Sequence, residues 1–306
     1  MSDTIRLGID LGGTKTEIIA LDTHGNTLLR QRSSTQRQHY HSIVTQLTAM
    51  VQEACKQLQI ERYSLGIGIP GAMSPATGKV KNANTTCLIG QDLLADLRST
   101  LAPVVPLRIA NDADCFALSE ARDGAGKGFD AVFGVILGTG CGGGWVINGA
   151  LLNGPNAISG EWGHNPMPWQ QADEPSLPCY CGKQGCIETF LSGPGLQLHG
   201  QHRYQQQHSA EHWHQLAQQG DEAAQGLMQR YQHNLARALA SVINLMDPPV
   251  IVLGGGMSNI ESLYSAVPAL WPDYVFSDQV TTQLRRAQHG DSSGVRGAAW
   301  LGAGSR

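Results

Sequence analysis

Charge is scarce in this chain, and neither sign dominates. Of its 306 residues, 15% are Asp, Glu, Lys or Arg, and the net charge is −4. The basic excess that tracks a nucleic-acid backbone is missing, so no nucleic acid is expected as a partner. No segment approaches the roughly 20 apolar residues that a bilayer-spanning helix needs, so no membrane is expected either. The opening stretch MSDTIRLGID lacks the basic stretch and long apolar run of a secretory signal. A reducing cytoplasmic location is the expectation, and there clustered cysteines serve metal or redox chemistry rather than a disulfide framework. The odd cysteine count of seven weakens a disulfide framework further. What remains is a chain with 41% hydrophobic residues, long enough for two domains or one large α/β unit.

Periodicity gives the order of elements. Ile5 to Ile9 alternates like a strand, Asp10 to Lys15 (DLGGTK) is a Gly-rich turn, and Thr16 to Leu21 is a second strand, with a third near Thr27 to Arg32. A strand–turn–strand hairpin is neither a P-loop nor a dinucleotide fingerprint, because both need a helix after the glycines. Ile43, Leu47, Met50, Val51, Ala54 and Leu58 share one helical face. A buried strand over Leu65 to Ile69, a strand over 107–112, and helices over 93–101 and 113–122 follow. From Gly134 the hairpin theme returns. Aligning Gly8 with Gly134 sets Leu11 on Leu137 and Gly12 on Gly138, which predicts two related halves. The second half continues with a helix near 221–246, a strand over Val250 to Leu253, a helix opened by Gly254, Gly255 and Gly256, and a terminal helix over Gly294 to Leu301. The Gln- and His-rich stretch 201–233 reads as a solvated helical surface. The expected division is 1–115 and 116–306, with the terminal helix packing back on the first domain.

Three Gly-rich turns (DLGGTK, GTGCGGG and GGGMS) each follow an apolar strand. Glycine lets backbone N–H groups approach phosphate, and three such strand ends suggest one polyphosphate ligand. Lys15 adds positive charge, and Asp10 either holds the hydration shell of Mg²⁺ or forms an Asx turn. Asp112, with Asn111 at a strand end, suits a general base toward a hydroxyl, although the dipeptide alone reads better as a helix cap. The segment PCYCGKQGCIE crowds Cys179, Cys181 and Cys186 into eight residues, and GEWGHNP supplies His164 fifteen residues before the first of them. Three thiolates and an imidazole form a recognised structural zinc set that leaves no position for catalytic water. The competing readings are a catalytic cysteine pair or buried unligated thiols. Cys55, Cys87, Cys115 and Cys141 stand alone and read as packing residues.

DLGGTK, the repeated hairpin, AND at 110–112, EWGH, CGKQGCIE and GGGMS together resemble the ROK family, from about Leu7 to Leu301. KNANTT, GHNPMPW, CYCGKQGCIETF and HGDSSGVRGAAW are most similar to its bacterial fructokinases. The resemblance implies an actin/hexokinase-like (ribonuclease H-like) duplicated α/β fold, two domains with a cleft between the halves. It also implies an ATP-dependent sugar kinase acting on a small-molecule sugar, a homodimer by family habit, with Mg²⁺ accompanying ATP and structural Zn²⁺. Asp112 becomes the base, and Asn84, Asn111, Glu161, His164 and Glu188 join it around the sugar. His164 is expected to give one ring nitrogen to zinc and the other to the sugar. The ATP phosphates and Mg²⁺ fall to Gly8, Ile9, Asp10, Leu11, Gly12, Gly13, Thr14 and Lys15, and to Gly138, Thr139, Gly140, Cys141, Gly142, Gly143 and Gly144. Gly254, Gly255 and Gly256 lie near adenosine. Repressors of the family carry a DNA-binding domain before DLGGTK. Only nine residues precede Asp10 here, so an enzyme is expected rather than a repressor or a non-catalytic sugar sensor.

Overall fold

The computed structural model describes residues 4–101 and 106–302. In chain order the elements are β1 (Ile5–Leu11), β2 (Lys15–Leu21), β3 (Thr27–Ser34), α1 (Tyr40–Leu58), β4 (Tyr63–Ile69), β5 (Ala72–Met73), β6 (Val80–Lys81), α2 (Leu93–Thr100), β7 (Leu107–Asn111) and α3 (Asp112–Asp123). They continue with β8 (Ala131–Leu137), β9 (Cys141–Ile147), β10 (Ala150–Leu151), α4 (Glu188–Leu191), α5 (Gly193–Tyr204), α6 (Ala210–Gln218), α7 (Glu222–Met246), β11 (Val250–Gly254), α8 (Leu263–Leu270), β12 (Gln283–Arg286) and α9 (Ser293–Leu301). Among the described residues, no helix is long and apolar enough to cross a membrane.

Two five-stranded sheets follow one plan. The first runs β3-β2-β1-β4-β7 and the second β10-β9-β8-β11-β12. Parallel pairs carry each sheet outward from its central strand: β1 with β4 and β4 with β7, then β8 with β11 and β11 with β12. The identical strand order is the structural form of the repeat that aligns Gly8 with Gly134. Packing divides the chain into two compact units. One comprises Met1–Gly128, Gly144–Ser159 and Gln288–Arg306, and the other Phe129–Gly143 and Gly160–Ala287.

Alternation along β1 decides which helix covers which face of the first sheet. Leu7, Ile9 and Leu11 are fully buried in a cluster with Ile43, Leu47 and Val51 of α1. Gly8 points the other way, beneath α9, where a Cβ would meet Ala299 N and Val295 O, and Gly66 of β4 leaves the same kind of room beside Ala298 O. Two expectations need correction. The glycines after β11 do not open a helix: Gly255 takes φ +80° against the Leu137 backbone, only a 3₁₀ turn follows at Gly256–Asn259, and α8 starts at Leu263. The Gln- and His-rich stretch is not all solvated surface either, since α6 buries Trp213 completely.

Candidate active site

The parallel strands of the first sheet bring Asp10 and the Asn111–Asp112 pair to one edge. Asp10 is level with Gly68 of β4, and Ile69 of β4 is level with Asn111 of β7, so both groups leave the carboxyl ends of strands separated only by β4. Ligands of open α/β sheets bind at such ends. Gly68 lies beside both Asp10 and Cys115, where a Cβ would meet Cys115 Sγ at 3.2 Å and Asp10 Oδ1 at 3.8 Å. Burial, then the charges of Asp112 and Glu17, push Asp10 up to about 7. Glu17 is the cross-strand neighbour of Asp10 and is itself held by Arg30 and Arg32. Asn111 caps α3, its Oδ1 accepting from Ala113 N at 2.8 Å, while its Nδ2 donates to Gly71 O at 3.1 Å. Asp112 Oδ1 accepts from the same Ala113 N at 2.8 Å, and the residue is exposed. The cap and the candidate base are therefore adjacent residues of one motif. Asn84 is exposed, its N–H donating to Pro70 O at 3.1 Å.

The turn from Gly12 to Lys15 closes through Gly12 N to Lys15 O at 3.0 Å and is braced by Thr35, whose Oγ1 donates to Gly12 O at 2.8 Å. Gly13, Thr14 and Lys15 are exposed. Gly8, Ile9 and Leu11, by contrast, belong to the packing described above.

In the second unit, Gly138 N donates to Gly140 O at 3.0 Å, and Gly138 O accepts from Gly193 N at 2.8 Å. Gly193 opens the 12-residue α5, capped by Ser192 with Pro194 in its first turn. A helix N-terminus, partially positive, thus abuts the Gly138–Thr139 turn. A cavity of about 810 Å³ continues from there, lined by Thr139, Gly193, His214, Gln215, Gly256 and Ile260 among others. The α6 side chains facing it were not foreseen, and only the Ser192-Gly-Pro start of α5 was a readable signal for this wall. Gly140 and Cys141 face Glu188: Cys141 N donates to Glu188 Oε2 at 2.9 Å, and burial raises the Cys141 thiol well above its usual range. Gly142 O accepts from Trp162 Nε1 at 3.1 Å. Gly143 and Gly144 serve close packing, since a Cβ at the first would meet Gly160 O at 2.9 Å and at the second Ala113 O at 2.7 Å.

The cysteine segment is a small hairpin. Cys179 N donates to Lys183 O at 2.8 Å, and Gly182 (φ +87°) and Gly185 (φ +68°) take left-handed conformations that side chains resist. The ligand atoms of His164, Cys179, Cys181 and Cys186 lie within 4.8 Å of one another. Cys181 Sγ is 3.6 Å from Cys186 Sγ, and Cys179 Sγ is 3.6 Å from His164 Nδ1. A tetrahedral ion with bonds of about 2.3 Å sets its ligands roughly 3.8 Å apart, so the set fits one metal ion. Exposed Glu161 precedes the 3₁₀ turn Trp162–His164, and Glu188 follows the hairpin, its Oε1 3.9 Å from Cys179 Sγ. His164 Nε2 lies 3.0 Å from Tyr180 Oη, a contact the sequence did not announce.

Two duplicated sheets with glycine turns at their strand ends define a protein of the actin/hexokinase-like fold. Residues 6–304 match the ROK family, and the chain belongs to it. It is 38% identical to an N-acetyl-D-glucosamine kinase of Pectobacterium carotovorum subsp. carotovorum over 299 residues, covering 96% of this chain and 97% of that one. Among solved structures it resembles the ROK hexokinase of Thermus thermophilus (TM-score 0.86, 27% identity, 98% of each chain). It also resembles a ROK family glucokinase of Streptomyces griseus in complex with glucose and AMPPNP (TM-score 0.77, 27% identity, 98% of this chain and 99% of that one).

Proposed function

We propose that this protein is an ATP-dependent hexose kinase that transfers the γ-phosphoryl group to a sugar hydroxyl, with fructose as its preferred acceptor and fructose 6-phosphate as product. The observation that carries the reading is the pair of carboxylates at one edge of the first sheet, exposed Asp112 beside half-buried Asp10. Asp112 takes the proton of the attacking hydroxyl, the bond to the γ-phosphorus forms, and ADP leaves. Asp10 serves the hydrated Mg²⁺ that accompanies ATP, which neutralises charge on the phosphates. The turns at Gly12–Lys15 and Gly138–Gly140 take the phosphates, and the cavity reaching Gly256 takes the adenosine. Asn84, Asn111, Glu161, His164 and Glu188 hold sugar hydroxyls. His164, Cys179, Cys181 and Cys186 hold structural Zn²⁺. Family membership and a relative solved with glucose and an ATP analogue support the kinase chemistry. Fructose rests on the resemblance of KNANTT and CYCGKQGCIETF to fructokinases, and N-acetylglucosamine is the strongest rival because 38% identical relatives are kinases for it.

The test is ADP release with ATP and Mg²⁺ across fructose, glucose, mannose and N-acetylglucosamine. Fructose should give the highest kcat/KM. If N-acetylglucosamine does, the fructose assignment fails and the kinase assignment stands; if no sugar releases ADP, both fail.

A further inference from the structure

A second hollow of the second unit lies between α5, α7 and the segment 173–175. Helical spacing builds it. His199 and Arg203 of α5 are four residues apart, and Leu227, Arg230 and Tyr231 of α7 are three and four apart, so each helix turns one face to it. Pro194 and Gln197 of α5 line the nucleotide-sized cavity instead. The hollow measures about 240 Å³, and its floor is apolar, with Phe190, Leu196, Leu227 and Tyr231 each at most 2% exposed.

Charge gathers at its rim. Arg203 Nη1 and Arg230 Nη2 both donate to a single oxygen, Asp173 Oδ2, at 3.2 and 2.7 Å. All three side chains are more than a third exposed. Glu174 does not balance the second guanidinium, because both its oxygens accept from Arg237 Nη2 at 2.6 Å. One positive charge is therefore in surplus where the hollow meets solvent.

His199 lines the same hollow, its ring tilted over that of Phe190 with centroids 4.6 Å apart. Burial holds its pKa down to about 4, so the ring is neutral near pH 7. A hydrogen bond to the Thr189 backbone acts in the opposite sense, which makes the ring the donor in that bond. Nε2 is buried and has no partner among the described residues. A neutral imidazole that donates through one nitrogen offers the other as an acceptor, and a buried acceptor calls for a donor such as a hydroxyl.

We propose that this hollow binds a small hydroxylated phosphate monoester, with its phosphate on Arg203 and Arg230 and a hydroxyl donating to His199 Nε2. A carboxylate would only repeat what Asp173 already supplies. A phosphate monoester carries close to two negative charges near pH 7 and three acceptor oxygens, enough to bridge both guanidiniums. The volume lies below the ~300–1,000 Å³ of most ligand pockets, which favours a short polyol phosphate. The assignment is independent of the kinase chemistry.

The probe is glycerol 3-phosphate, titrated by calorimetry into the full chain with Mg²⁺, AMPPNP and hexose in excess so that the proposed active site is occupied. Binding should saturate at a single molecule per chain. Arg230→Gln should weaken it at least about tenfold, the worth of a charged hydrogen bond, whereas Asp173→Asn should tighten it by removing the competing carboxylate. Glycerate, which has a carboxylate in place of the phosphate, should bind at least about tenfold more weakly than glycerol 3-phosphate. Inorganic phosphate should bind about 3- to 10-fold more weakly for want of the carbon-borne hydroxyl, and His199→Phe should abolish that difference. Melting temperatures check that each variant folds. Failure of glycerol 3-phosphate to bind overturns the site, as does binding that Arg230→Gln leaves unchanged or that Asp173→Asn fails to tighten. Glycerate or inorganic phosphate binding as tightly as glycerol 3-phosphate overturns the monoester assignment. None of these outcomes bears on turnover of sugar and ATP, which tests the kinase assignment separately.

Discussion

Asp10 and Asp112 are neighbouring carboxylates with different surroundings, and the proposed chemistry gives them different work. Asp10 is half-buried and crowded by Glu17 and Asp112, which together with burial raise it to about 7. A cation with its water shell relieves that crowding, whereas a general base needs the open position that Asp112 holds at the start of α3. Asp112→Asn keeps shape and cap geometry and removes the carboxylate proposed as the base. Its kcat should fall by roughly 10²–10⁴, with sugar affinity changed much less. Steady-state kinetics alongside sugar binding by calorimetry separates the two, and near-normal kcat would take Asp112 out of the chemistry. At this scale the sequence was legible in the placement of Asp10 and Asp112 at strand ends separated only by β4, and in the grouping of His164 with the three hairpin thiols. Thr35, Tyr180 and the α6 side chains were not legible, because each acts through a partner far away in sequence or through a side-chain direction that only the folded chain defines.

At the scale of elements, α9 packs closely on both the first sheet and α3. A Cβ on its Gly297 would overlap the Cys115 carbonyl of α3, just as Gly8 and Gly66 admit α9 onto the sheet. Ser293 Oγ donates to buried Glu120 at 2.8 Å, and Glu120 also accepts from Ala125 N, Gln288 N and His289 N. Gly297→Ala should therefore cost about 1–3 kcal/mol by overpacking, despite the better helix propensity of alanine, and a denaturant titration reads the shift directly. His289, between Glu120 and α9, adds a pH dependence. Its hydrogen bond to Asp123 (Nε2 to Oδ1, 3.1 Å) raises its pKa above the usual 6.5 against the opposing effect of burial. A histidine raised in the folded state contributes stability that is fully present below its unfolded pKa and is lost as pH climbs through the folded value. The melting-temperature gap between wild type and His289→Gln should therefore be widest near about pH 6 and narrow toward about pH 8.5. A gap that stays constant across that range would show that His289 acts by packing alone. The apolar face of α1 and the alternation of β1 were readable because one residue pattern sets them. The four-residue β12 and the turn after β11 were not, since a short strand exists only through its pairing with β11 and Gly255 answers to the Leu137 backbone.

At the scale of the whole molecule, each of the two units holds a different set of candidate groups. The first holds Asp10 and Asp112, and the second holds the nucleotide-sized cavity and the cysteine hairpin. The repeat was legible from two short glycine stretches because a strand–turn–strand unit imposes the same spacing wherever it recurs. Within the second unit, the hairpin and the cavity use different residues: the cavity is walled by α5, α6 and the turn after β11, and the hairpin contributes none of its lining. Zinc should therefore matter unequally to the two substrates. The hairpin turns at Gly182 and Gly185, both in left-handed conformations, and carries three of the four candidate metal ligands. Small structural zinc sites bind with an apparent ~10–16 kcal/mol, so purified protein should retain about one zinc per chain by elemental analysis. Cys181→Ser should lose zinc and raise the KM for sugar at least about tenfold, because the proposed sugar contacts Glu161, His164 and Glu188 lose their common anchor at once. The KM for ATP should change much less. Equal increases in both KM values would mean that the hairpin supports the whole second unit, and a zinc-free preparation with full activity would remove the metal from the account.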